Sequence, residues 1–135
     1  MEEAIRILVV DDEPDIRRIC RILLETGGYT VLEAATGAEA VEQVRQHPEL
    51  DLILMDIQMP IMDGYEATKI IRSFNNKNAQ IPIIAMTANA FAEDANKALS
   101  VGMNDHVAKP IDMSILVPTM MKYHDTRSGA TFLTR

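Results

Sequence analysis

Acidic side chains stand directly after two short apolar runs in this chain of 135 residues. Asp11 and Asp12 follow the run over residues 5–10, and Asp56 follows the run over residues 52–55. Short runs that are nearly continuous in Val, Ile and Leu are typical of strands buried on both faces of a parallel sheet. Because such sheets carry their chemistry at the carboxyl ends of the strands, we expect the three carboxylates to share one site.

Carboxylates gathered at one site are costly to bury unless a cation joins them. Asp11, Asp12 and Asp56 therefore predict a divalent metal. Mg²⁺ takes oxygen ligands from one or two carboxylates and keeps water molecules that a substrate phosphate can replace. Two of the three carboxylates would then bind the ion, and the third would be free to react.

Two further polar residues, Thr87 and Lys109, end later apolar stretches of the chain. A lysine at the end of a buried strand can reach a phosphoryl oxygen as a point charge, and a threonine hydroxyl can donate a hydrogen bond. Pro110, directly after the lysine, permits a cis peptide bond in a tight turn, which about one X-Pro bond in twenty adopts.

Each of these residues taken alone also fits an ordinary structural role. Acidic residues before Pro14 favour the start of a helix through its dipole. A lysine at a strand end is commonly solvated, and threonine is common within strands. Asp56 is harder to explain in this way, because the segment after it contains Pro60 and Gly64 and reads as a loop rather than a helix start.

The apolar runs alternate five times with amphipathic helical patterns, which predicts a doubly wound α/β domain. We expect a five-stranded parallel sheet of order 2-1-3-4-5, as in flavodoxin-like folds, with helices on both faces. The predicted strands lie near residues 5–10, 29–34, 51–56, 81–86 and 104–108, and the predicted helices near 14–26, 37–47, 64–74, 90–101 and 113–123.

Local signals support several of these boundaries. Thr36 with Glu39, and Asp63 with Glu66, have the spacing of capping boxes, in which side chains pair with free amides of the first helical turn. Pro118 lies inside the last predicted helix, where its ring and its missing amide should kink the backbone.

The composition limits the classes of function. A formal net charge of -7 and a pI near 4.9 argue against direct nucleic acid binding or attachment to anionic lipid. No basic leader and no long apolar segment is visible, so we expect no membrane insertion and a cytoplasmic location. We expect a domain over residues 4–123 and a flexible tail over residues 124–135.

The cysteine and two of the histidines are expected to be structural. Cys20 is the only cysteine, and it lies on a helical stripe with Ile16, Ile19, Leu23 and Leu24, which predicts core packing. His47 and His124 lie at a helix end and near the tail, and we expect both on the surface.

Four stretches together resemble the response regulator receiver domain of two-component signalling. They are residues 7–13, 54–64, 83–88 and 108–110, and the resemblance spans about residues 4–123. Residues 81–112 are most similar to receivers fused to hybrid sensor histidine kinases. A free-standing regulator is the other context that the sequence leaves open.

The resemblance implies a reaction at Asp56, which would accept a phosphoryl group from a phosphohistidine on a histidine kinase or a histidine phosphotransfer protein. It implies that Mg²⁺, or alternatively Mn²⁺, is held by Asp11, Asp12, Asp56 and the main-chain carbonyl of Gln58. Positioning and charge neutralisation dominate phosphoryl transfer, which agrees with such a site.

Other residues receive roles from the same resemblance. Thr87 and Lys109 would contact the phosphoryl group, and Thr87 would act as a switch together with His106, which stands where the family often has Phe or Tyr. Gln58 and Asn89 would tune the lifetime of the acyl phosphate.

These roles imply a signalling switch, expected as a monomer or weak dimer, that catalyses only its own phosphorylation and dephosphorylation and is not a classical enzyme. One alternative is a Mg²⁺-dependent aspartyl phosphatase, although such enzymes space their carboxylates Asp-x-Asp and carry a capping insertion. A flavin or nucleotide carrier would need a phosphate-binding loop after the first strand. A receiver-like module that binds partners without phosphorylation is the third alternative.

Overall fold

The computed structural model describes residues 4–88 and 92–128, and its strands form one parallel sheet. The strand order is β2-β1-β3-β4-β5, so the predicted fold class and topology are confirmed. The observed strand ends differ from the predicted ones by at most two residues. The strands are β1 Arg6–Val10, β2 Thr30–Ala34, β3 Leu52–Asp56, β4 Ile83–Thr87 and β5 Asp105–Ala108.

Five α-helices connect and flank the strands, as the alternation predicts, and a short 3₁₀ helix that the sequence analysis missed covers Lys77–Gln80. None of the helices in the described part has the length and apolar character that crossing a bilayer requires. The α-helices are α1 Pro14–Thr26, α2 Gly37–Gln46, α3 Gly64–Arg72, α4 Ala92–Val101 and α5 Met113–Ser128.

Helix α5 is longer than predicted. It runs without interruption past Pro118 and ends at Ser128, five residues beyond the expected end at residue 123. Residues 124–128, which the sequence analysis placed in the tail, therefore continue the helix.

The sheet separates two apolar cores because alternate residues of each strand point to opposite faces. Helices α2, α3 and α4 cover one face, and α1 and α5 cover the other. Every residue of β3 is buried. Cys20 lies in the core as predicted, but Ile19 on the same predicted stripe is 50% exposed, so the apolar face of α1 is narrower than expected.

Side-chain caps fix the starts of two helices. Asp63 and Glu66 form the predicted capping box at α3. At α2 the Thr36 hydroxyl accepts a hydrogen bond from the Glu39 amide, but the Glu39 carboxylate accepts from the amide of Ala35 instead of completing the box. These contacts set where each helix begins after the loop at the carboxyl edge of the sheet.

A network of side chains holds the opposite, amino edge of the sheet. The Arg72 guanidinium, at the end of α3, donates to the carbonyls of Gly102, Ala79 and Ile81 over 2.7–3.0 Å. It also donates to Asn104 Oδ1, which accepts the first amide of β4 as well. One arginine therefore joins α3 to the segments that precede β4 and β5.

Replacing Arg72 with Leu should lower the free energy of unfolding by about 3 kcal/mol, because several carbonyls lose their donors. Urea unfolding measures this change. Lys69→Leu, an exposed substitution on the same helix, is the control and should change stability by less than about 0.5 kcal/mol. Equal unfolding midpoints for the two variants would contradict the structural role of Arg72.

Candidate functional site

Three carboxylates meet at the carboxyl edge of the sheet, as the sequence predicts. Asp56 is the last residue of β3 and Asp11 follows β1, its neighbour in the sheet, and both side chains are almost fully buried. Asp12 is exposed. One oxygen from each of the three carboxylates lies within 4.8 Å of the others. The adjacency of β1 and β3 therefore creates the cluster.

The Lys109 ammonium lies between the two buried carboxylates. Its Nζ atom is 2.9 Å from Asp11 Oδ2 and 3.2 Å from Asp56 Oδ1. The lysine follows β5, and its amide donates to the carbonyl of Thr87 at 2.8 Å, which extends the pairing of β4 and β5 to the site. The Lys109-Pro110 peptide bond is cis.

Main-chain amides also orient the two buried carboxylates. Asp56 Oδ1 accepts a hydrogen bond from the Gln58 amide at 3.1 Å, and Asp11 Oδ1 accepts one from the Glu13 amide at 2.9 Å. In both cases the donor lies two residues after the acceptor, so each aspartate closes its own turn. The other oxygen of Asp11, Oδ2, faces Lys109.

The pKa values of Asp56 and Lys109 follow from this environment. Burial raises the pKa of Asp56 to about 6, and Asp11 adds to this effect, while the Gln58 amide and Lys109 act against it. Burial lowers the pKa of Lys109, but its contacts with Asp11 and Asp56 outweigh burial and raise the value above that of an ordinary lysine. Lys109 is thus a cation at neutral pH.

Thr87 ends β4 and is fully buried, with its hydroxyl 3.5 Å from the carbonyl of Val107. Asp56 is paired in register with Met86, so Thr87 lies one residue beyond the partner of Asp56. The threonine is therefore at the same edge as the carboxylates.

Of the remaining predicted residues, His106 lies within β5, about one-third exposed, with its Nδ1 atom 3.7 Å from Asp105 Oδ1. His47 is at the surface, as predicted, where it contacts Glu49. Asn89 and the side chain of His124 fall outside the described part of the structure.

Two features near the site were missed by the sequence analysis. Arg17 donates to the main-chain carbonyl of Asp11 at 2.8 Å and to Glu33 at 3.1 Å, and Arg21 donates to the other oxygen of Glu33. The sequence did contain a signal for these ion pairs. Arg17 and Arg21 are four residues apart, on one side of α1, and Glu33 in β2 is a possible acidic partner. The second feature is Ile61, whose φ is 69°.

The residues present fit a magnesium ion. Three carboxylates and one ammonium leave two formal negative charges, and all the converging ligands are hard oxygen donors. The cluster thus has the charge and the ligand chemistry that a divalent cation requires.

The sheet order and this cluster agree with the comparison with protein families. The family model described as the response regulator receiver domain matches residues 7–120. The chain belongs to this family. The resemblance on which the predictions depended is thereby confirmed, and the receiver includes all the elements that carry the site.

Relatives of this receiver include much longer sensor kinases. It is 41% identical over 120 residues to the signal transduction histidine-protein kinase BarA of Escherichia coli, covering 89% of this chain and 13% of that protein. The chain spans between 7% and 16% of the length of the first curated relatives it matches. One of these is a hybrid signal transduction histidine kinase of Dictyostelium discoideum.

Solved receiver structures agree with the fold and the site. The receiver of sensor histidine kinase PA1611 from Pseudomonas aeruginosa, with a magnesium ion in its active site cleft, matches with a TM-score of 0.81 and 37% identity over 90% of this chain and 98% of that one. The complex of the histidine phosphotransfer protein Ypd1 of Saccharomyces cerevisiae with the Ssk1 receiver also matches. Its TM-score is 0.82 and its sequence identity is 29%, over 95% of this chain and 94% of that one.

Asp56→Asn should stabilise the metal-free receiver at neutral pH. The folded pKa of Asp56 is raised above its unfolded value, so its contribution to stability is present below about pH 4 and is lost as pH rises toward 6. Above pH 6 the variant should therefore be more stable by on the order of 2 kcal/mol.

The free energy of unfolding, measured with urea in the presence of a metal chelator between pH 4 and 8, tests this expectation. The wild-type protein and the variant should converge near pH 4. Asp15→Asn, an exposed substitution in the first turn of α1, is the control and should show no such pH dependence. A variant that is less stable than the wild type at pH 7 would contradict the argument.

Proposed function

We propose that Asp56 of this receiver is the phosphoacceptor of a signalling switch in a two-component phosphorelay. The observation that carries the proposal is the buried Asp56 carboxylate at the end of β3, held 3.2 Å from the Lys109 ammonium. An ionised carboxylate is a competent nucleophile toward phosphorus, and a fixed cation beside it offsets the charge of the incoming phosphoryl group.

The reaction we propose transfers a phosphoryl group from nitrogen to oxygen. An Asp56 oxygen forms a bond to phosphorus as the P–N bond of a phosphohistidine breaks. The second ring nitrogen of the phosphohistidine carries a proton, so the imidazole nitrogen that keeps the electron pair of the broken bond leaves as part of a neutral imidazole. The product is an acyl phosphate on Asp56, and water later hydrolyses it to restore the carboxylate.

Mg²⁺ would be held by Asp11, Asp12, Asp56 and the Gln58 carbonyl, and Mn²⁺ could replace it. When bound, the ion offsets negative charge on the phosphoryl oxygens. The carboxylate cluster supports this assignment, and so does the magnesium ion in the cleft of the PA1611 receiver. Lys109 contacts Asp56 directly and orients its carboxylate.

The acyl phosphate adds about 1.5 to 2 negative charges at the end of β3. Lys109 would follow this charge, and the Thr87 hydroxyl would exchange its long contact with Val107 for a phosphoryl oxygen. Because β4 and β5 are adjacent, the movement of Thr87 would reach His106 in β5. The surface around His106, which a partner protein would contact, would change as a result.

Gln58 and Asn89 would set the lifetime of this state. Gln58 is exposed and its main-chain amide donates to Asp56, so its side chain would lie near the path of the water that attacks phosphorus. Its amide can order or obstruct that water. Asn89 is assigned the same role from its position two residues after Thr87.

The phosphodonor would be a histidine kinase or a histidine phosphotransfer protein. The sensor kinases among the relatives and the Ypd1–Ssk1 complex support this choice. We propose a cytoplasmic receiver domain over residues 4–123, a monomer or weak dimer that works by protein docking without binding nucleic acid.

Incubation with Mg²⁺ and acetyl phosphate should add the mass of one phosphoryl group to the intact protein. Asp56→Asn should abolish the gain, because the nucleophile is lost. Lys109→Met should slow the reaction by at least tenfold, because the fixed cation is lost. Equal gain in the wild-type protein and Asp56→Asn would rule out Asp56 as the phosphoacceptor, and no gain in the wild-type protein would favour the phosphatase or the unphosphorylated binding module.

Mg²⁺ should raise the thermal midpoint of the receiver without any phosphodonor, because it binds the folded state preferentially. Asp12→Asn should weaken Mg²⁺ binding by about tenfold or more while changing the metal-free midpoint little, since Asp12 is exposed. Asp15→Asn is the control, and an equal response to Mg²⁺ in the two variants would argue against the ligand set.

A further inference from the structure

Ile61 lies at the tip of the loop between β3 and α3 in an unusual backbone conformation. Its φ is 69°, and the Met62 amide donates to the Pro60 carbonyl at 2.8 Å, which closes a three-residue γ-turn around it. This form of γ-turn is rare and strained, and positive φ is least favourable for a β-branched residue. Within the described part of the chain, Ile61 is the only non-glycine residue with positive φ.

The isoleucine side chain gains nothing from the folded domain. It is fully exposed, at 102% of its reference area. Glycine or asparagine would fit the same backbone with less strain. Folding of the isolated domain therefore does not explain an isoleucine at this position.

The loop on both sides of Ile61 is firmly anchored. Met59 is buried, and Met62 packs against the core beside Gly37, where an added Cβ would lie 2.8 Å from Met62 Cγ. Gly64 approaches the loop base so closely that a Cβ would clash with the carbonyl of Asp56. The γ-turn is thus fixed relative to Asp56, and Ile61 projects from a rigid support.

We propose that Ile61 is a specificity-determining contact for the protein phosphodonor. This inference rests on the proposed function, because it places an apolar surface of the donor against Ile61 while the phosphohistidine meets Asp56. Burial there would provide the favourable interaction that Ile61 lacks in the free domain. The anchored loop keeps the cost of ordering the contact low.

Other exposed apolar residues do not share this combination. The side chains of Ile22, Leu99 and Ile115 are between 56% and 58% exposed, but these residues lie on helices with ordinary backbone geometry. Leu99 is near the end of α4, toward the amino edge of the sheet. It is therefore a suitable control for losing an exposed apolar side chain away from the phosphorylation site.

The test compares two donors that both break a P–N bond. Phosphoramidate is a small donor that has no apolar surface to place against Ile61, and phosphorylated Ypd1 is a protein donor. Ile61→Asn and Ile61→Gly should react with phosphoramidate at the wild-type rate and should be at least as stable on thermal unfolding. With Ypd1, kcat/KM should fall tenfold or more, mainly through KM. Ile61→Leu should retain most of the wild-type value, and Leu99→Asn should retain all of it.

Several results would overturn the inference. The first is equal Ypd1 kinetics for the wild type and Ile61→Asn. The second is a parallel loss of rate with both donors, which indicates a structural role for Ile61. The third is a wild-type rate with Ypd1 that is no greater than the rate with phosphoramidate at equal concentration. Failure of the wild-type protein to be labelled by either donor would instead contradict the proposed phosphoacceptor function. The two failures are thus distinguishable.

Discussion

The contact of one ammonium with two buried carboxylates is the constraint on which the site depends. Asp11 and Asp56 end neighbouring strands and would repel each other if both were ionised without a cation. Lys109 reaches both from the end of β5, across the sheet from β1. The three groups can meet only if strands that are distant in sequence are placed in the observed order, so the fold and the electrostatics require each other.

The two edges of the sheet are stabilised in different ways. At the amino edge, Arg72 and Asn104 bind main-chain groups, and the buried Asn78 side chain donates to carbonyls at the end of α2. At the carboxyl edge, the main contacts are between ionised side chains, whose strength changes with charge and with a bound cation. A new charge at Asp56 would therefore act on the contacts whose strength depends most on charge.

The element order, the topology and the carboxylate cluster could be predicted because local signals determine them. Continuous Val, Ile and Leu runs indicate buried parallel strands, and polar residues at their ends must lie at one edge. The contacts of Arg72 could not be predicted, since its acceptors are carbonyls, which every residue carries. The end of α5 was wrong by five residues because the residues after 123 show no apolar periodicity that would indicate a helix, whereas the helix continues to Ser128.

The backbone strain at Ile61 could not be predicted from the sequence, for a related reason. Positive φ is usually signalled by glycine or asparagine, and isoleucine gives the opposite indication. The anchored residues Met59 and Met62 impose the conformation, so only the assembled structure reveals it.

The separation between the two edges also has an evolutionary consequence. Many residues that specify the fold lie within the strands and at the amino edge, whereas Ile61, at the tip of its loop, is fully exposed and contributes no packing to the domain. A lineage can therefore acquire a different partner by substituting a few exposed loop residues, and the information that directs folding is inherited intact.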